Sequence, residues 1–163
     1  MPDEMAQKVL LYDRERCTGC RACEMACAYR NFRTLTPTKT NISIFLDENS
    51  FSLEAIHCLH CQEPVCMAAC PAEAITKDDA TGWVTINPLK CIGCRSCTYA
   101  CPLAACWFDE EVKVAFKCNF CDGDPNCAKF CSPQAIRVAT REEAMKFARE
   151  EYLTGGKKWE SKR

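Results

Sequence analysis

The sequence predicts an α+β fold of short strands and short helices, organised around cysteine rather than around a large apolar core. Three observations lead there. Sixteen of the seventeen cysteines fall into four groups of four between residues 17 and 131. The groups form an internal repeat. The stretches between them are too short for long helices or wide sheets, and read as strands and turns.

The elements follow in order. Residues 9–12 (VLLY) form a strand leading into the first group, and residues 22–29 give a helical turn or two. Residues 42–46 are rich in β-formers. Residues 74–76 and 83–87 flank KDDATG at 77–82, a hairpin signature. Residues 112–116 and 135–139 are further strands. Thr140 caps a helix over residues 141–152, with Glu143 at the capping-box position. Gly155 and Gly156 are expected to end it. The polar tail, residues 157–163, is expected to be mobile, with Trp159 a candidate anchor at a frayed end.

The first group is CTGCRACEMAC (Cys17, Cys20, Cys23, Cys27) and the second CLHCQEPVCMAAC (Cys58, Cys61, Cys66, Cys70). The third is CIGCRSCTYAC (Cys91, Cys94, Cys97, Cys101) and the fourth CNFCDGDPNCAKFC (Cys118, Cys121, Cys127, Cys131). Groups one and three align without gaps and share seven of eleven residues, including Gly19/Gly93 and Arg21/Arg95. Groups two and four each carry a proline two residues before the third cysteine (Pro64, Pro125) and close in similar tails, CPAEAI and CSPQAI. The chain is a two-motif unit used twice.

With Pro102, group three reads C-x2-C-x2-C-x3-C-P, the ligand run of bacterial iron–sulfur ferredoxins. Each two-residue loop turns the next sulfur toward one centre, and a glycine in the first loop permits a tight backbone. The fourth cysteine, a helical turn further on, points away. Sixteen grouped thiolates supply four 4Fe–4S clusters.

The other readings of so much cysteine are weaker. A secreted disulfide scaffold is opposed by an odd cysteine count, local repetitive spacing, and a start (MPDEMAQKVLLYDRERC) without a basic-then-apolar signal segment. Reduced thiols kept for metal fit a cytoplasmic setting. A structural zinc module is the remote alternative, but these overlapping runs crowd too many thiolates for separate zinc sites. His57 and His60 flank Cys58 and Cys61; a two-histidine cluster would need missing cysteines, and none is missing. Packing or hydrogen bonding is expected of both. Cys106 is left over and reads as a small buried residue outside every coordination shell. Arg21, Arg95, Lys90 and Lys117 are either solvated charges or compensation for anionic clusters.

The hydrophobic fraction of 48% includes cysteine. Without cysteine it falls to about 37%, a thin core that metal binding must supplement. Formal charge is −1. Sixteen thiolates outweigh the positive iron–sulfide cores and take the loaded chain to roughly −9, which opposes a nucleic-acid surface. No apolar run approaches a membrane span. No nucleotide loop and no nucleophile–base set stands out, so a non-catalytic role is expected.

Residues 58–104 resemble a complete bacterial two-cluster ferredoxin, with a cysteine group, CP-x-x-AI, a hairpin, and a second group with CP. On that resemblance groups two and three exchange Cys70 and Cys101, and groups one and four exchange Cys27 and Cys131. Cluster 1 then has Cys17, Cys20, Cys23 and Cys131, and cluster 2 has Cys27, Cys118, Cys121 and Cys127. Cluster 3 has Cys58, Cys61, Cys66 and Cys101, and cluster 4 has Cys70, Cys91, Cys94 and Cys97. The alternative pairs group one with two and three with four. The corresponding domains are residues 1–47 with 110–140 (outer), residues 48–109 (inserted), and a C-terminal helix and tail at 141–163.

Over residues 8–140 the chain resembles the four-cluster electron-transfer subunits of molybdenum and tungsten oxidoreductases of the dimethyl sulfoxide reductase and formate dehydrogenase type. The opening VLLYDRERCTGCRACEMAC and the short form are most similar to small subunits accompanying tungsten aldehyde oxidoreductases. The resemblance implies a pseudo-twofold pair of ferredoxin-like dicluster domains and a row of clusters against a large tungsten- or molybdenum-pterin catalytic subunit. A flavin protein or ferredoxin is a further candidate electron partner. Alternatives are a free polyferredoxin, or a subunit of a formate dehydrogenase or hydrogenase complex. All sixteen cysteines are present, unlike the nitrate reductase branch with its 3Fe–4S centre. Ala28 and Ser132 stand where proline would follow the last cysteine of groups one and four.

Overall fold

The computed structural model describes residues 7–160. Its strands and α-helices are laid out as two runs of six and a terminal helix, with a 3-10 turn at Phe120–Gly123 in the second run. The first run is β1 (Lys8–Tyr12), α1 (Ala22–Phe32), β2 (Ile42–Asp47), β3 (Ser52–His57), α2 (Val65–Ala68) and β4 (Ile75–Lys77). The second is β5 (Val84–Ile86), α3 (Ser96–Ala100), β6 (Trp107–Asp109), β7 (Val114–Phe116), α4 (Asn126–Lys129) and β8 (Ile136–Thr140). Helix α5 (Arg141–Glu160) follows.

The strands form four antiparallel pairs: β1 with β8, β2 with β3, β4 with β5 and β6 with β7. Exchanging the first run for the second maps this pairing onto itself. The helices obey the same exchange, with α1 packed on α4 and α2 on α3. The sequence repeat is thus a two-fold repeat of topology. In the closing pair Leu10 lies opposite Val138, so the two ends of the cysteine-bearing chain meet in one ladder.

Local chemistry explains the turns. Asp78 accepts amide bonds from Ala80 (3.0 Å) and Thr81 (2.7 Å), which closes the β4–β5 turn. Asp47 accepts from the Asn49 amide (3.0 Å) and the Ser50 hydroxyl (2.7 Å) and starts the β2–β3 turn. Those bonds hold its carboxyl below the usual range. Thr140 and Glu143 form the expected capping box: the Glu143 amide donates to Thr140 Oγ1 (3.2 Å) and the Thr140 amide to Glu143 Oε2 (2.8 Å).

Four expectations are corrected. Helix α1 continues to Phe32, beyond residue 29, and stops where Arg33 turns left-handed with its amide on Tyr29 O. Strands β3 and β6 are additional; each is short and depends on its hairpin partner rather than on its own pattern. Val112 lies in a turn, so β7 starts at Val114. Gly155 and Gly156 do not end α5, which runs to Glu160. Glycine weakens a helix by about 1 kcal/mol but stops it only where the backbone turns left-handed. The end of the polar tail, residues 161–163, lies outside the described residues, as does the side chain of Trp159 and with it the expected anchor.

Two cores are built largely of cysteine. One joins Leu10, Ile42, Ile44, Phe120 and Ile136 to Cys23, Cys27, Cys58, Cys118, Cys127 and Cys131. The other joins Ile75, Val84 and Ala115 to Cys66, Cys97 and Cys106. Cys101 packs against both. The expected domain boundaries at 47/48 and 109/110 fall in or beside the turns of the β2–β3 and β6–β7 hairpins.

Candidate metal centres

None of the seventeen cysteines forms a disulfide. Groups one and three each form a loop and then enter a helix. Gly19 (φ 69°) and Arg21 (φ 57°), with Gly93 (φ 73°) and Arg95 (φ 62°), give both loops the same left-handed kinks. The third cysteine of each group lies in the first turn of the helix that follows, Cys23 in α1 and Cys97 in α3. Groups two and four kink at His60 (φ 48°) and Phe120 (φ 56°). Their third cysteines start α2 and α4 just after Pro64 and Pro125, whose extended backbone marks the helix start.

The helix pairing brings the groups together. Cys27 on α1 lies buried beside Cys118, Cys121 and Cys127 of group four, close enough for mutual electrostatic effect. Cys23 lies close to Cys17 and to Cys131 in the same sense. Cys58 lies close to Cys66, and also to Cys118 of group four, in the same sense. Cys70, Cys91, Cys94 and Cys97 line one pocket, otherwise made of Ala72, Ala74, Ile75, Ile86, Ile92, Arg95 and Ala115. Cys20, Cys61 and Cys94 are exposed.

Backbone amides point at the sulfurs. The amides of Asn41 (3.4 Å), His60 (3.3 Å), Ala74 (3.4 Å), Phe120 (3.4 Å) and Ile136 (3.3 Å) donate to Cys27, Cys58, Cys70, Cys118 and Cys131. Asn31 Nδ2 adds a second bond to Cys27 at 3.5 Å. Such donors favour thiolate over thiol and are the means by which a protein tunes cluster potential. Burial works the other way on the free thiols, pushing Cys23 and Cys118 up to about 12. A metal that replaces the proton removes that conflict. The donor set therefore fits iron–sulfur clusters: soft ligands in fours, enclosed, and met by amide donors.

Cys106 is buried, with the Cys66 and Cys97 sulfurs beside its thiol. The Cys106 thiol, which stays protonated, holds Cys66 and Cys97 below the usual thiol range. The leftover cysteine is thus in contact with the ligand groups, a feature its sequence position did not signal. Among the basic residues, Arg21 lies 3.9 Å from Glu24 and stays largely exposed, and Arg95 pairs with Glu110 at 2.7 Å. Lys117 differs: it is buried and donates to Val84 O. His57 Nδ1 lies 3.3 Å from Cys58 O, and His60 Nδ1 accepts the Val84 amide at 3.0 Å. Burial, helped by Lys117, pushes His60 down to about 3, so its ring is neutral.

Paired cysteine-rich halves with enclosed sulfur sets define a class, the polycluster ferredoxin-like electron carriers. Residues 50–141 match the model of the 4Fe-4S dicluster domain and residues 8–29 that of a 4Fe-4S binding domain; the chain belongs to this 4Fe–4S dicluster family. It is 34% identical over 149 residues to the thiosulfate reductase electron transfer subunit PhsB of Salmonella typhi, covering 88% of this chain and 76% of that one. It is 31% identical to the polyferredoxin-like subunit of the aliphatic sulfonate oxidoreductase of Pyrococcus furiosus, covering 86% and 83%. It is 32% identical to the B subunit of the anaerobic dimethyl sulfoxide reductase of Haemophilus influenzae, covering 85% and 77%. The chain is an electron-transfer subunit carrying four 4Fe–4S clusters, not a catalytic one. The zinc alternative falls with that membership. Among the described residues no helix is long and apolar enough to cross a membrane.

Proposed function

We propose that this chain relays single electrons to or from a large tungsten- or molybdenum-pterin catalytic subunit, most similar in type to an aldehyde oxidoreductase, in the cytoplasm. The observation that carries the relay is graded enclosure. The four cysteines proposed for cluster 2 (Cys27, Cys118, Cys121, Cys127) are all buried, while each other proposed set has a cysteine at the surface, Cys20, Cys61 or Cys94. A relay needs insulated inner centres and centres near the surface where partners dock. When bound, the clusters supply reversible one-electron chemistry; the chain supplies spacing, insulation and hydrogen bonds.

We assign the ligands by the nested scheme. Contact between α1 and α4, and between α2 and α3, supports it over pairing groups one with two. The single pocket edged by Cys70, Cys91, Cys94 and Cys97 supports the fourth set. The two domains take the same division, residues 1–47 with 110–140 around residues 48–109. All-thiolate ligation leaves the clusters anionic, so low potentials are expected, on the order of −400 mV. Such potentials suit aldehyde, formate or hydrogen chemistry. The named relatives that serve thiosulfate reductase and dimethyl sulfoxide reductase support a pterin-enzyme partner in general rather than tungsten in particular.

The test is anaerobic purification under native conditions with metal analysis. About sixteen iron and sixteen sulfide per chain are expected, with a large tungsten- or molybdenum-containing subunit co-purifying. Full iron in a chain recovered only alone would favour the free polyferredoxin. About eight iron in fully loaded protein would overturn the four-cluster assignment.

A further inference from the structure

The repeat places groups two and four in register. His57 corresponds to Lys117, Cys58 to Cys118, His60 to Phe120 and Cys61 to Cys121. His60 and Phe120 share a left-handed backbone and are 1% and 0% exposed. Their rings meet edge to face, with centroids 6.0 Å apart at 80°. Phe120 also stacks on Trp83 at 4.6 Å. A phenyl ring therefore does the packing at this place, and the first half of the chain holds a histidine instead.

That histidine has a defined tautomer. Nδ1 accepts the Val84 amide at 3.0 Å, which leaves the proton of the neutral ring on Nε2. Nε2 is enclosed and, among the described residues, has no hydrogen-bond partner. A buried donor without an acceptor costs about 1–3 kcal/mol, a cost phenylalanine avoids. The backbone around it is held firmly: the His60 carbonyl accepts from Arg141 Nη2 at 2.7 Å, and Arg141 also grips Gln7 Oε1 at 2.6 Å. The ring has little freedom to seek a partner elsewhere.

Lys117 presents the matching problem in charge. Its side chain is buried, donates to Val84 O and lies close enough to Cys58 to act on it electrostatically. Among the described residues no carboxylate pairs with it. A buried cation needs a counter-charge. Both groups meet at Val84, one on its amide and one on its carbonyl, beside Cys58 and its symmetry counterpart Cys118.

We propose that His60 Nε2–H and Lys117 Nζ set the potential of the cluster proposed for Cys58, Cys61 and Cys66, the histidine as a hydrogen-bond donor to a cluster sulfur and the lysine as a fixed counter-charge. The inference rests on the four-cluster reading. One-electron reduction by an electron donor would add one negative charge to the cluster and no proton. A donor and a cation at its sulfurs stabilise that reduced form and raise its potential relative to its symmetry mate, which has Phe120 at the equivalent place. Two centres related by the repeat would thereby be made unequal.

The chain has two histidines, so labelling is selective. The full-length, cluster-loaded and reduced protein is grown with 15N-histidine and examined by pulsed paramagnetic resonance. The expected result is a 15N coupling that persists in His57→Gln and is absent in His60→Gln. In potentiometric titration His60→Phe and Lys117→Gln should each make reduction of one centre about tenfold less favourable, about 59 mV lower for one electron, with Lys117→Arg near the original value. No 15N coupling in a protein with its full iron complement overturns the inference. So do unchanged midpoints in both variants. If a variant fails to load, the labelled unmodified protein and His57→Gln still decide. Failure of the unmodified chain to bind sixteen iron defeats the four-cluster reading instead, and is seen before any label is read.

Discussion

Gly19 and Gly93 occupy matching places in the repeat, yet they tolerate a methyl group differently. Both take left-handed backbone, which costs an L-residue about 1–2 kcal/mol. A Cβ on Gly19 would meet the Leu53 side chain at 3.2 Å, which can shift, whereas one on Gly93 would meet the Lys113 backbone carbonyl at 2.7 Å, which cannot. Gly19→Ala should therefore lose about 1–2 kcal/mol and Gly93→Ala clearly more. Thermal unfolding of the loaded chain reads the difference, and equal losses would contradict it. The glycines themselves were legible in the spacing; their unequal neighbours were not, because Lys113 and Leu53 arrive from distant hairpins. Cys106 shows the same limit. The sequence marks it as spare, and only the fold brings it against Cys66 and Cys97. Cys106→Ser should retain about sixteen iron, since sixteen other thiolates suffice. A loss of about four iron in that variant would make Cys106 a ligand.

At the scale of elements, what the sequence reveals depends on whether an element carries its own signal. Helix α5 announces its start through Thr140 and Glu143, and the capping box forms as expected. Strands β1, β2 and β8 have β-rich runs, and the β4–β5 hairpin has Asp78 and Gly82 at its turn. Strand β3 reads SLEAIH, with no buried alternation of its own, and exists because β2 offers it a ladder from Ile42 opposite His57 to Asp47 opposite Ser52. Strand β6 is three residues long and depends on β7 in the same way. The start of α5 matters beyond the helix, because Arg141 in its first turn holds the carbonyl of His60. Thr140→Ala removes the side-chain oxygen that receives the Glu143 amide and should cost about 1 kcal/mol. Amide exchange should accelerate at Glu142 and Glu143 while β1 and β8 stay protected. Unchanged exchange in that first turn would show that Gln7 and Arg141 alone anchor the helix.

At the scale of the whole molecule, the repeat is the feature the sequence reveals most fully, because thiol spacing must be kept wherever a cluster is to be held. What spacing alone leaves open is which group faces which. The fold bears on that through two kinds of contact, the β1–β8 ladder that joins the ends and the α1–α4 and α2–α3 packing. Cys27 leaves group one along α1 and arrives among Cys118, Cys121 and Cys127. The nested assignment therefore predicts a pattern of non-additivity. Removing two ligands of one cluster destroys one cluster; removing one ligand from each of two damages both. Cys27→Ala combined with Cys127→Ala should leave about twelve iron, with three clusters intact. Cys27→Ala combined with Cys66→Ala should damage two clusters and retain less. The tandem pairing predicts the reverse, because Cys27 would then share a cluster with Cys66. Iron analysis of the two double variants, each beside its single variants, separates the schemes without needing coordinates of the loaded protein.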